Sequence, residues 1–279
     1  MASNLFNRLV FENNRKIKNR TFRDLMLRSY YSLESWKKTL AYGTDDIFRE
    51  IVIETHSSCN RKCSYCPVSL YDRGRHLMDE KLYRKIIDEL ASGKYKGDIG
   101  YHFFSEPLLD TRLESFVEYT RKKLPQNHIM IYTNGDFLTR ERYDSLLEAG
   151  VSMFYVTLHG EKKSRAIPKL LKTGPDKSRI ALRRLDTNSL LSSRGNLVRV
   201  KNKEIMGICG FPSNTLHIDY RGNIVLCCED YFSKNVFGNL KEEKLFDIWD
   251  KPRFRKIRKE TMRGRFRLKI CKECTSCTS

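Results

Sequence analysis

The chain has 279 residues, of which 40% are hydrophobic and 11% aromatic, and this is enough apolar material for a buried core, which excludes a wholly disordered protein. It contains no apolar run long enough to span a membrane and begins without a recognisable secretion signal, so we predict a cytoplasmic protein with no membrane span. The formal net charge of +19 is concentrated in residues 161–203 and 251–279, which indicates an anionic substrate or partner unless these segments are simply solvated basic surfaces.

Residues 1–47 are predicted to form a basic helical extension, because apolar side chains such as Leu25 and Leu33 recur between the charged ones. The glycine at position 43 then predicts the end of the helix. Three roles fit such a segment: a cap on the following domain, an arm that holds a partner, and a helix on a membrane surface.

Between residues 48 and 203 the pattern changes to short apolar strands that alternate with amphipathic helices. Asp79 and Thr139 are predicted helix N-caps, and Gly150 is a predicted helix C-cap. The predicted strands are residues 50–54, 99–104, 128–132, 151–158 and 180–185. Strands that alternate with helices at this spacing predict parallel βαβ units, and therefore an α/β fold.

Residues 204–279 have a different pattern from the part before them. The predicted elements are a β-hairpin at residues 216–226 and short helices at residues 245–249 and 254–262. We therefore predict a small, separate α+β domain that carries most of the remaining cysteines.

Nine cysteines are the most informative residues in the sequence. Their odd number, the lack of a secretion signal and their clustering at short gaps argue against a disulfide framework. Reduced cysteines of a cytosolic protein are more often metal ligands, and both zinc and iron–sulfur clusters suit thiolates. The nine are Cys59, Cys63, Cys66, Cys209, Cys227, Cys228, Cys271, Cys274 and Cys277.

The first cysteine group is Cys59-x3-Cys63-x2-Cys66, in the loop that follows the first predicted strand. Nearby lysine and arginine side chains favour the thiolate form, and three thiolates can wrap a compact soft-metal cofactor. A structural zinc site needs four protein ligands, so zinc would require a distant fourth ligand such as His56. On a four-iron cluster, three thiolates leave one iron open for a substrate or cofactor.

Polar motifs follow the next three predicted strands. They are Ser105-Glu106-Pro107, Tyr132-Thr133-Asn134-Gly135 and Leu158-His159-Gly160. Taken singly, the first is typical of a helix start and the second of a turn, while His159 is either a pocket contact or a core histidine. Taken together, they lie at the carboxyl ends of successive parallel strands, where α/β barrels and sheets place their active sites. We therefore predict a cofactor site at this edge.

On these motifs the sequence resembles the radical S-adenosylmethionine (SAM) superfamily, clearly so over residues 49–160. The resemblance implies a partial (β/α)6 barrel and a [4Fe–4S] cluster whose open iron binds SAM. One electron cleaves SAM, and the resulting 5′-deoxyadenosyl radical takes a hydrogen atom from the substrate. The implied cluster ligands are Cys59, Cys63 and Cys66, and the implied SAM contacts are Tyr65, Ser105, Glu106, Thr133 and Asn134. Glu106 is the expected acceptor for the amino group of SAM.

The second cysteine group is spread over the carboxyl-terminal segment. A hairpin would bring Cys209 and Cys227 together, and Cys271-x2-Cys274 supplies two adjacent ligands, which suits zinc or an iron–sulfur cluster equally. The segment resembles the SPASM/Twitch auxiliary domains, which implies one auxiliary [4Fe–4S] cluster bound by these four cysteines. Of the two cysteines left over, Cys228 and Cys277, we expect the first to point away from Cys227 if both continue a strand.

The loop around Arg194 resembles the Arg-Gly loop of radical SAM enzymes that act on aminocyclitols and sugars, which implies that Arg194 contacts the substrate. We therefore expect hydrogen abstraction from a carbohydrate-like or other small molecule. The basic segments would suit a substrate that carries negative charge. Two outcomes stay open: dehydrogenation, with the auxiliary cluster as electron acceptor, and epimerisation, with a thiol such as Cys228 as hydrogen donor. The resemblance also implies a flavodoxin- or ferredoxin-type electron donor.

Two other functions fit parts of the sequence. A maturase that modifies a ribosomally made peptide would use a similar auxiliary domain, and the basic segments would suit an acidic leader peptide. A non-catalytic basic iron–sulfur protein would bind nucleic acid. The sequence carries no recognisable nucleic-acid-binding motif, so nucleic acid is not the expected partner.

Overall fold

The computed structural model describes residues 20–160, 164–185, 192–199 and 207–274. The described α-helices are α1 (Arg20–Tyr42), α2 (Glu80–Ser92), α3 (Leu113–Lys123), α4 (Arg140–Ala149), α5 (Ala166–Lys172), α6 (Phe211–Asn214), α7 (Leu245–Asp250), α8 (Pro252–Met262) and α9 (Lys269–Glu273). The described β-strands are β1 (Glu50–Ile53), β2 (Asp98–Tyr101), β3 (Ile129–Thr133), β4 (Met153–His159), β5 (Ile180–Leu185), β6 (Thr215–Ile218), β7 (Asn223–Val225) and β8 (Val236–Asn239).

The described strands form one sheet in the order β5-β4-β3-β2-β1-β6-β7-β8. The six strands from β5 to β6 are parallel to their neighbours, whereas β7 and β8 pair in an antiparallel arrangement. Helices connect the successive parallel strands from β1 to β5. This arrangement confirms the predicted α/β fold.

Strand β6 links the two predicted domains through the sheet. Thr215 lies opposite Glu50 of β1 in a parallel register, while His217 lies opposite Val225 in the antiparallel pair with β7. The hairpin of β6 and β7 was predicted, but the parallel pairing with β1 was not. A hairpin signal is local, whereas the partner of a parallel strand is distant in the sequence. The boundary between residues 203 and 204 therefore stays a prediction.

The helix ends predicted from local signals are confirmed. Asp79 accepts a hydrogen bond from the backbone N of Leu82 at 3.0 Å, and Thr139 accepts one from the backbone N of Arg142 at 3.2 Å. Gly150 ends α4 in a left-handed conformation with a φ of 115°. Asp79 and Thr139 fix where α2 and α4 begin. They therefore also fix where the loops that follow β1 and β3 end.

Alternation along the strands gives the sheet two different faces. One face packs against the helices in the main hydrophobic core, with Ile51, Ile99, Ile131, Phe154 and Leu216 among its residues. The other face is more polar and aromatic and includes Glu50, Tyr132, Tyr155 and His217. The polar face leads to the carboxyl ends of the strands, where the predicted site residues lie.

Helix α1 packs against the carboxyl-terminal cysteine segment. A second hydrophobic cluster joins Leu27, Tyr30 and Tyr31 of this helix to Ile208 and Cys274. Of the three roles considered for the amino-terminal extension, this packing supports a cap on the rest of the chain. None of the described helices is both long and apolar enough to cross a membrane.

The segment that leads into β1 is held by α7 and α8. Trp249 donates from Nε1 to the backbone O of Asp46 at 2.9 Å, and Arg258 donates from Nη2 to Oδ1 of Asp46 at 2.8 Å. The guanidinium carbon of Arg258 also lies 3.7 Å from the centroid of the Trp249 ring, a cation–π contact. The carboxyl-terminal helices thus fix the start of the central strand.

Candidate active site and iron–sulfur sites

The loop that carries Cys59, Cys63 and Cys66 follows β1 directly. Cys63 is buried, and the other two cysteines are half-buried. The backbone N of Cys66 donates to the backbone O of Cys63 at 2.9 Å, which closes a tight turn between them. Both residues also lie close enough to Cys59 to influence its pKa. All three thiols are therefore carried by one short loop.

The end of β3 anchors this loop. Arg61 donates to Asp136 from Nε at 2.8 Å and from Nη2 at 2.6 Å, and such a two-pronged ion pair fixes orientation. Asn60 donates to Asp136 at 2.7 Å and accepts from Nδ2 of Asn134 at 2.8 Å. Asp136 was not among the predicted site residues, although its place directly after the Asn134-Gly135 motif is a signal that points to it.

Glu106, Thr133 and Asn134 come together at the ends of β2 and β3. The carboxylate of Glu106 accepts from Oγ1 of Thr133 at 2.5 Å, from the backbone N of Asn134 at 2.8 Å and from the backbone N of Leu108 at 3.2 Å. Burial raises the pKa of Glu106 to about 7, although these hydrogen bonds favour the ionised form. A carboxylate offers about four acceptor positions, so one stays open for a ligand.

The turn that presents Asn134 depends on Gly135. This glycine has a φ of 77°, and a Cβ there would lie 2.6 Å from Cγ1 of Ile167 and 2.9 Å from Cγ1 of Val156. Its backbone O accepts a hydrogen bond from Oγ of Ser164 at 2.8 Å. Any larger residue would collide with these side chains and strain the backbone, so the turn requires glycine.

Tyr65 reaches from the cysteine loop to the end of β4. Its hydroxyl contacts Nδ1 of His159, and the two rings stack with their centroids 5.8 Å apart. His159 therefore meets the cysteine loop and is not an isolated core histidine. Ser105 is half-buried ahead of Glu106, and its hydroxyl has no hydrogen-bond partner within the described part of the chain.

A cavity that is partly open to solvent lies among the carboxyl-terminal cysteines. The cysteines that line it are Cys209, Cys227, Cys228, Cys271 and Cys274. Phe211, Phe266 and Ile270 contribute apolar side chains to its wall. The four predicted auxiliary ligands are therefore brought together around one space. Cys277 lies outside the described residues.

The carboxyl-terminal thiols line one common space, as the ligands of a shared iron–sulfur cluster must. Burial raises the pKa of Cys59 and Cys271 to about 12 and raises the pKa of Cys227 as well. Iron must therefore displace protons when these thiolates form.

Cys228 does not continue a strand with Cys227. Strand β7 ends at Val225, so both cysteines lie beyond it and strand alternation does not separate their side chains. Cys228 lines the same cavity as the four predicted ligands, and its Sγ lies 4.0 Å from Oε1 of Glu229. It is therefore placed between the auxiliary thiols and this carboxylate.

Arg194 interacts with a carboxylate and with thiols of both cysteine groups. Its Nη1 donates to Oε1 of Glu229 at 3.1 Å, and Oγ of Ser192 donates to the same oxygen at 2.7 Å. Burial works against the charge of Arg194, but Glu229 and thiols of both groups, including Cys66 and Cys274, raise its pKa. Arg194 is thus a permanent positive charge close to both predicted cluster sites.

Two features make this pair a candidate ligand site. Arg194 has a φ of 50°, a left-handed conformation that costs a non-glycine residue free energy and is enriched at functional sites. Oε2 of Glu229 is buried and has no hydrogen-bond partner among the described residues. Glu229 was not among the predicted site residues, although it directly follows Cys227 and Cys228.

His102, just beyond β2, is a further polar group near Arg194. Burial and then the positive charge of Arg194 lower the pKa of His102 to about 4. Its ring lies 4.3 Å from the ring of Tyr132, centroid to centroid. His102 is therefore a neutral imidazole at neutral pH, able to donate one hydrogen bond and accept one. No motif in the sequence pointed to it.

Comparison with known proteins identifies two regions of the chain. Residues 53–187 match the Radical SAM superfamily, and residues 209–278 match SPASM, an iron–sulfur cluster-binding domain. The S-adenosyl-L-methionine-dependent 2-deoxy-scyllo-inosamine dehydrogenase of Niallia circulans is 38% identical over 240 residues, which cover 83% of this chain and 94% of the relative.

Solved structures agree with these matches. The crystal structure of BtrN in complex with AdoMet and 2-DOIA has a TM-score of 0.75 at 36% identity, and the match covers 82% of this chain and 94% of that one. BtrN in an open conformation has a TM-score of 0.67 at 34% identity, with 84% and 94% covered. SuiB of Streptococcus suis bound to its precursor peptide is 13% identical with a TM-score of 0.52 over 93% and 77%, and it shares the fold alone.

These matches confirm the predictions of an oxidoreductase that uses SAM and of iron–sulfur cofactors. They cover both groups of cysteines described above. The chain therefore belongs to the radical SAM superfamily, as an enzyme with a SPASM iron–sulfur domain in its carboxyl-terminal part.

Proposed function

We propose that this enzyme dehydrogenates a secondary alcohol of a small aminocyclitol-like substrate. The name of the Niallia circulans relative describes such a reaction, and 94% of the length of that relative is matched. The observation that carries the proposal is the Arg194–Glu229 pair, because it lies near both groups of thiols and has one unpaired, buried carboxylate oxygen.

The chemistry of this pair suits a ring that bears hydroxyl and amino groups. The guanidinium of Arg194 can donate to a hydroxyl oxygen, and Oε2 of Glu229 can accept from a hydroxyl or an ammonium group. Neutral His102 can supply a further hydrogen bond. Contacts at several points hold a ring in one orientation, so that a chosen carbon–hydrogen bond faces the reacting radical.

The residues at the carboxyl ends of the strands orient SAM in this proposal. When bound, the cluster and SAM supply the 5′-deoxyadenosyl radical that takes a hydrogen atom from the substrate. Glu106 would accept a hydrogen bond from the amino group of SAM with its open acceptor position. Thr133 and the backbone of Asn134 hold that carboxylate in place. Tyr65, whose ring stacks on His159, would contact the adenine.

The substrate reaches the ketone in balanced steps. Its hydroxyl-bearing carbon loses a hydrogen atom to the 5′-deoxyadenosyl radical, the hydroxyl then loses a proton, and the remaining electron leaves to an external one-electron carrier. Glu229 is placed to receive the proton through its unpaired oxygen. The positive charge of Arg194 favours the oxygen anion that forms before the electron leaves.

We assign the cysteines to two [4Fe–4S] clusters. The proposed ligands are Cys59, Cys63 and Cys66 for the SAM-binding cluster and Cys209, Cys227, Cys271 and Cys274 for one auxiliary cluster. A flavodoxin- or ferredoxin-type protein is the proposed electron donor, and a cytoplasmic location is proposed because both clusters need reduced thiols.

The test is anaerobic reconstitution followed by incubation with SAM, a chemical reductant and 2-deoxy-scyllo-inosamine. We expect 5′-deoxyadenosine and a ketone product with two fewer hydrogens than the substrate. Alanine at Cys59, Cys63 and Cys66 together should leave about four of about eight irons and abolish SAM cleavage. A wild-type protein that binds zinc alone, or that cleaves SAM without oxidising the aminocyclitol, would contradict the proposal.

A further inference from the structure

The outer wall of the auxiliary cavity is basic. In the segment of residues 263–272, exposed cations alternate with side chains that are turned inward. Phe266, Ile270 and Cys271 line the cavity from this segment. The exposed cations between and beside them are Arg263, Arg265, Arg267, Lys269 and Lys272, which we call the basic face. The basic face and this part of the cavity lining therefore belong to the same backbone segment.

Several charges of the basic face have no ion pair among the residues that the structure describes. Arg267 pairs with Glu260 at 2.8 Å, and Lys269 lies 3.8 Å from Glu273. Arg263, Arg265 and Lys272 have no ion pair within the described residues. The segment 263–272 itself contains no Asp or Glu. Unpaired exposed cations gathered in one place attract an acidic partner and speed its association.

We propose that the basic face is the docking surface for a small acidic one-electron carrier protein of the flavodoxin or ferredoxin class. This inference rests on the proposed dehydrogenation, because that reaction releases one electron from the substrate. An electron carrier must approach the thiol-lined cavity closely, and the basic face is the wall of that cavity. Nucleic acid is the less suitable occupant, because binding of single strands usually combines basic grooves with exposed aromatic rings. The basic face contains no exposed aromatic residue.

The electrons balance for one turnover. The substrate gives a hydrogen atom to the 5′-deoxyadenosyl radical, a proton to solvent and one electron to the oxidised carrier at the basic face. The reduced carrier returns one electron for the cleavage of the next SAM. The sum is alcohol plus SAM giving ketone, 5′-deoxyadenosine, methionine and a proton, so the carrier is not consumed.

The experiment measures binding of an acidic flavodoxin to the reconstituted enzyme by calorimetry at low and high salt. The test variant is Arg265→Glu/Lys272→Glu, which reverses two unpaired charges of the basic face. The matched control is Lys169→Glu/Lys172→Glu on α5, which makes the same change of net charge at exposed lysines of the other basic segment. Cleavage of SAM with a chemical reductant is measured for all three proteins in parallel.

We expect wild-type binding that weakens with salt, a loss of affinity of about tenfold or more in the test variant, and a change of less than about twofold in the control. Reductant-driven cleavage of SAM should be equal in the three proteins. The proposal is overturned if the wild type does not bind flavodoxin at low salt, or if both double variants lose affinity equally. It is also overturned if single-stranded RNA, and not flavodoxin, binds in a way that depends on Arg265 and Lys272. Failure of aminocyclitol oxidation with a chemical reductant would instead count against the proposed function.

Discussion

Arg194 donates a hydrogen bond from Nη1 to Oε1 of Glu229 at 3.1 Å, and this contact joins the loop of residues 192–199 to the turn that follows Cys227. Only 7% of the Glu229 side chain and 25% of the Arg194 side chain are exposed, so water screens the pair weakly. The Arg194–Glu229 ion pair therefore holds the loop and the turn together.

The first prediction concerns the shape of the guanidinium. Arg194→Lys keeps the positive charge but removes the planar pair of guanidinium donors. We expect the KM for the aminocyclitol to rise about tenfold to a hundredfold, because the substrate loses one hydrogen bond to a charged group. Cleavage of SAM in the absence of substrate should not change. Arg199→Lys, in the same loop and exposed, is the matched control. An unchanged KM would remove Arg194 from the substrate site.

The second prediction concerns SAM binding at Glu106. Glu106→Gln should weaken SAM binding by about 1.5–3 kcal/mol, because the proposed hydrogen bond from the amino group loses its charged acceptor. Calorimetry measures the affinity, and visible absorbance shows whether both clusters are retained. Glu118→Gln, an exposed carboxylate on α3, is the control. Unchanged SAM affinity would mean that Glu106 serves only to hold Thr133 and Asn134.

The third prediction separates dehydrogenation from epimerisation at Cys228. The reaction is run in deuterated water with the wild type and Cys228→Ala. For a dehydrogenase, both proteins should give the ketone at similar rates, with no deuterium at the reacting carbon. An inverted alcohol that carries one deuterium in the wild type, together with a variant that stops after making 5′-deoxyadenosine, would make Cys228 the hydrogen donor of an epimerase.

The fourth prediction concerns pH and the buried carboxyl of Glu50. Burial raises the pKa of Glu50 to about 7, whereas Arg49 and a hydrogen bond from Tyr132 at 3.4 Å act in the opposite direction. Between the ordinary pKa of the unfolded chain and about 7, the folded state holds this proton more tightly than the unfolded state. The unfolding free energy contributed by Glu50 therefore falls as the pH rises through this range.

Glu50→Gln should remove this pH dependence. From about pH 5 to pH 8, the wild type should lose about 2–3 kcal/mol more unfolding free energy than the variant, as measured by urea titration. Glu148→Gln, an exposed carboxylate on α4, should behave as the wild type does. A variant with the same pH slope as the wild type would show that Glu50 is ionised in the folded protein.

The sequence was most informative where structure is decided locally. Asp79, Thr139 and Gly150 end helices through contacts with residues a few positions away, and their roles were predictable for that reason. The cysteine spacing and the polar residues after each strand likewise predicted which groups would gather at the strand ends.

Contacts between distant segments were not predictable in this way. Asp136 holds Arg61 across the loops after β1 and β3, and Glu229 holds Arg194 from a segment beyond β6 and β7. Neither acidic residue belongs to a motif with fixed spacing. Each pairs with an arginine that the fold brings next to it, Arg61 for Asp136 and Arg194 for Glu229. Such a contact depends on the packing of the whole chain.

The parallel pairing of β1 with β6 has a consequence for the size of the reaction space. The loop of Cys59 leaves the end of β1, and Cys227 follows the hairpin of β6 and β7, so both cysteines are attached to one ladder of strands in which β1 and β6 lie about 4.8 Å apart. The backbone N of Glu54 still donates to the backbone O of Ile218 at 3.0 Å just before the first loop begins. Moving Cys59 away from Cys227 would strain this ladder of backbone hydrogen bonds. We therefore expect a substrate of a different size to be accommodated by the loop of residues 192–199, while the separation of Cys59 and Cys227 stays nearly constant.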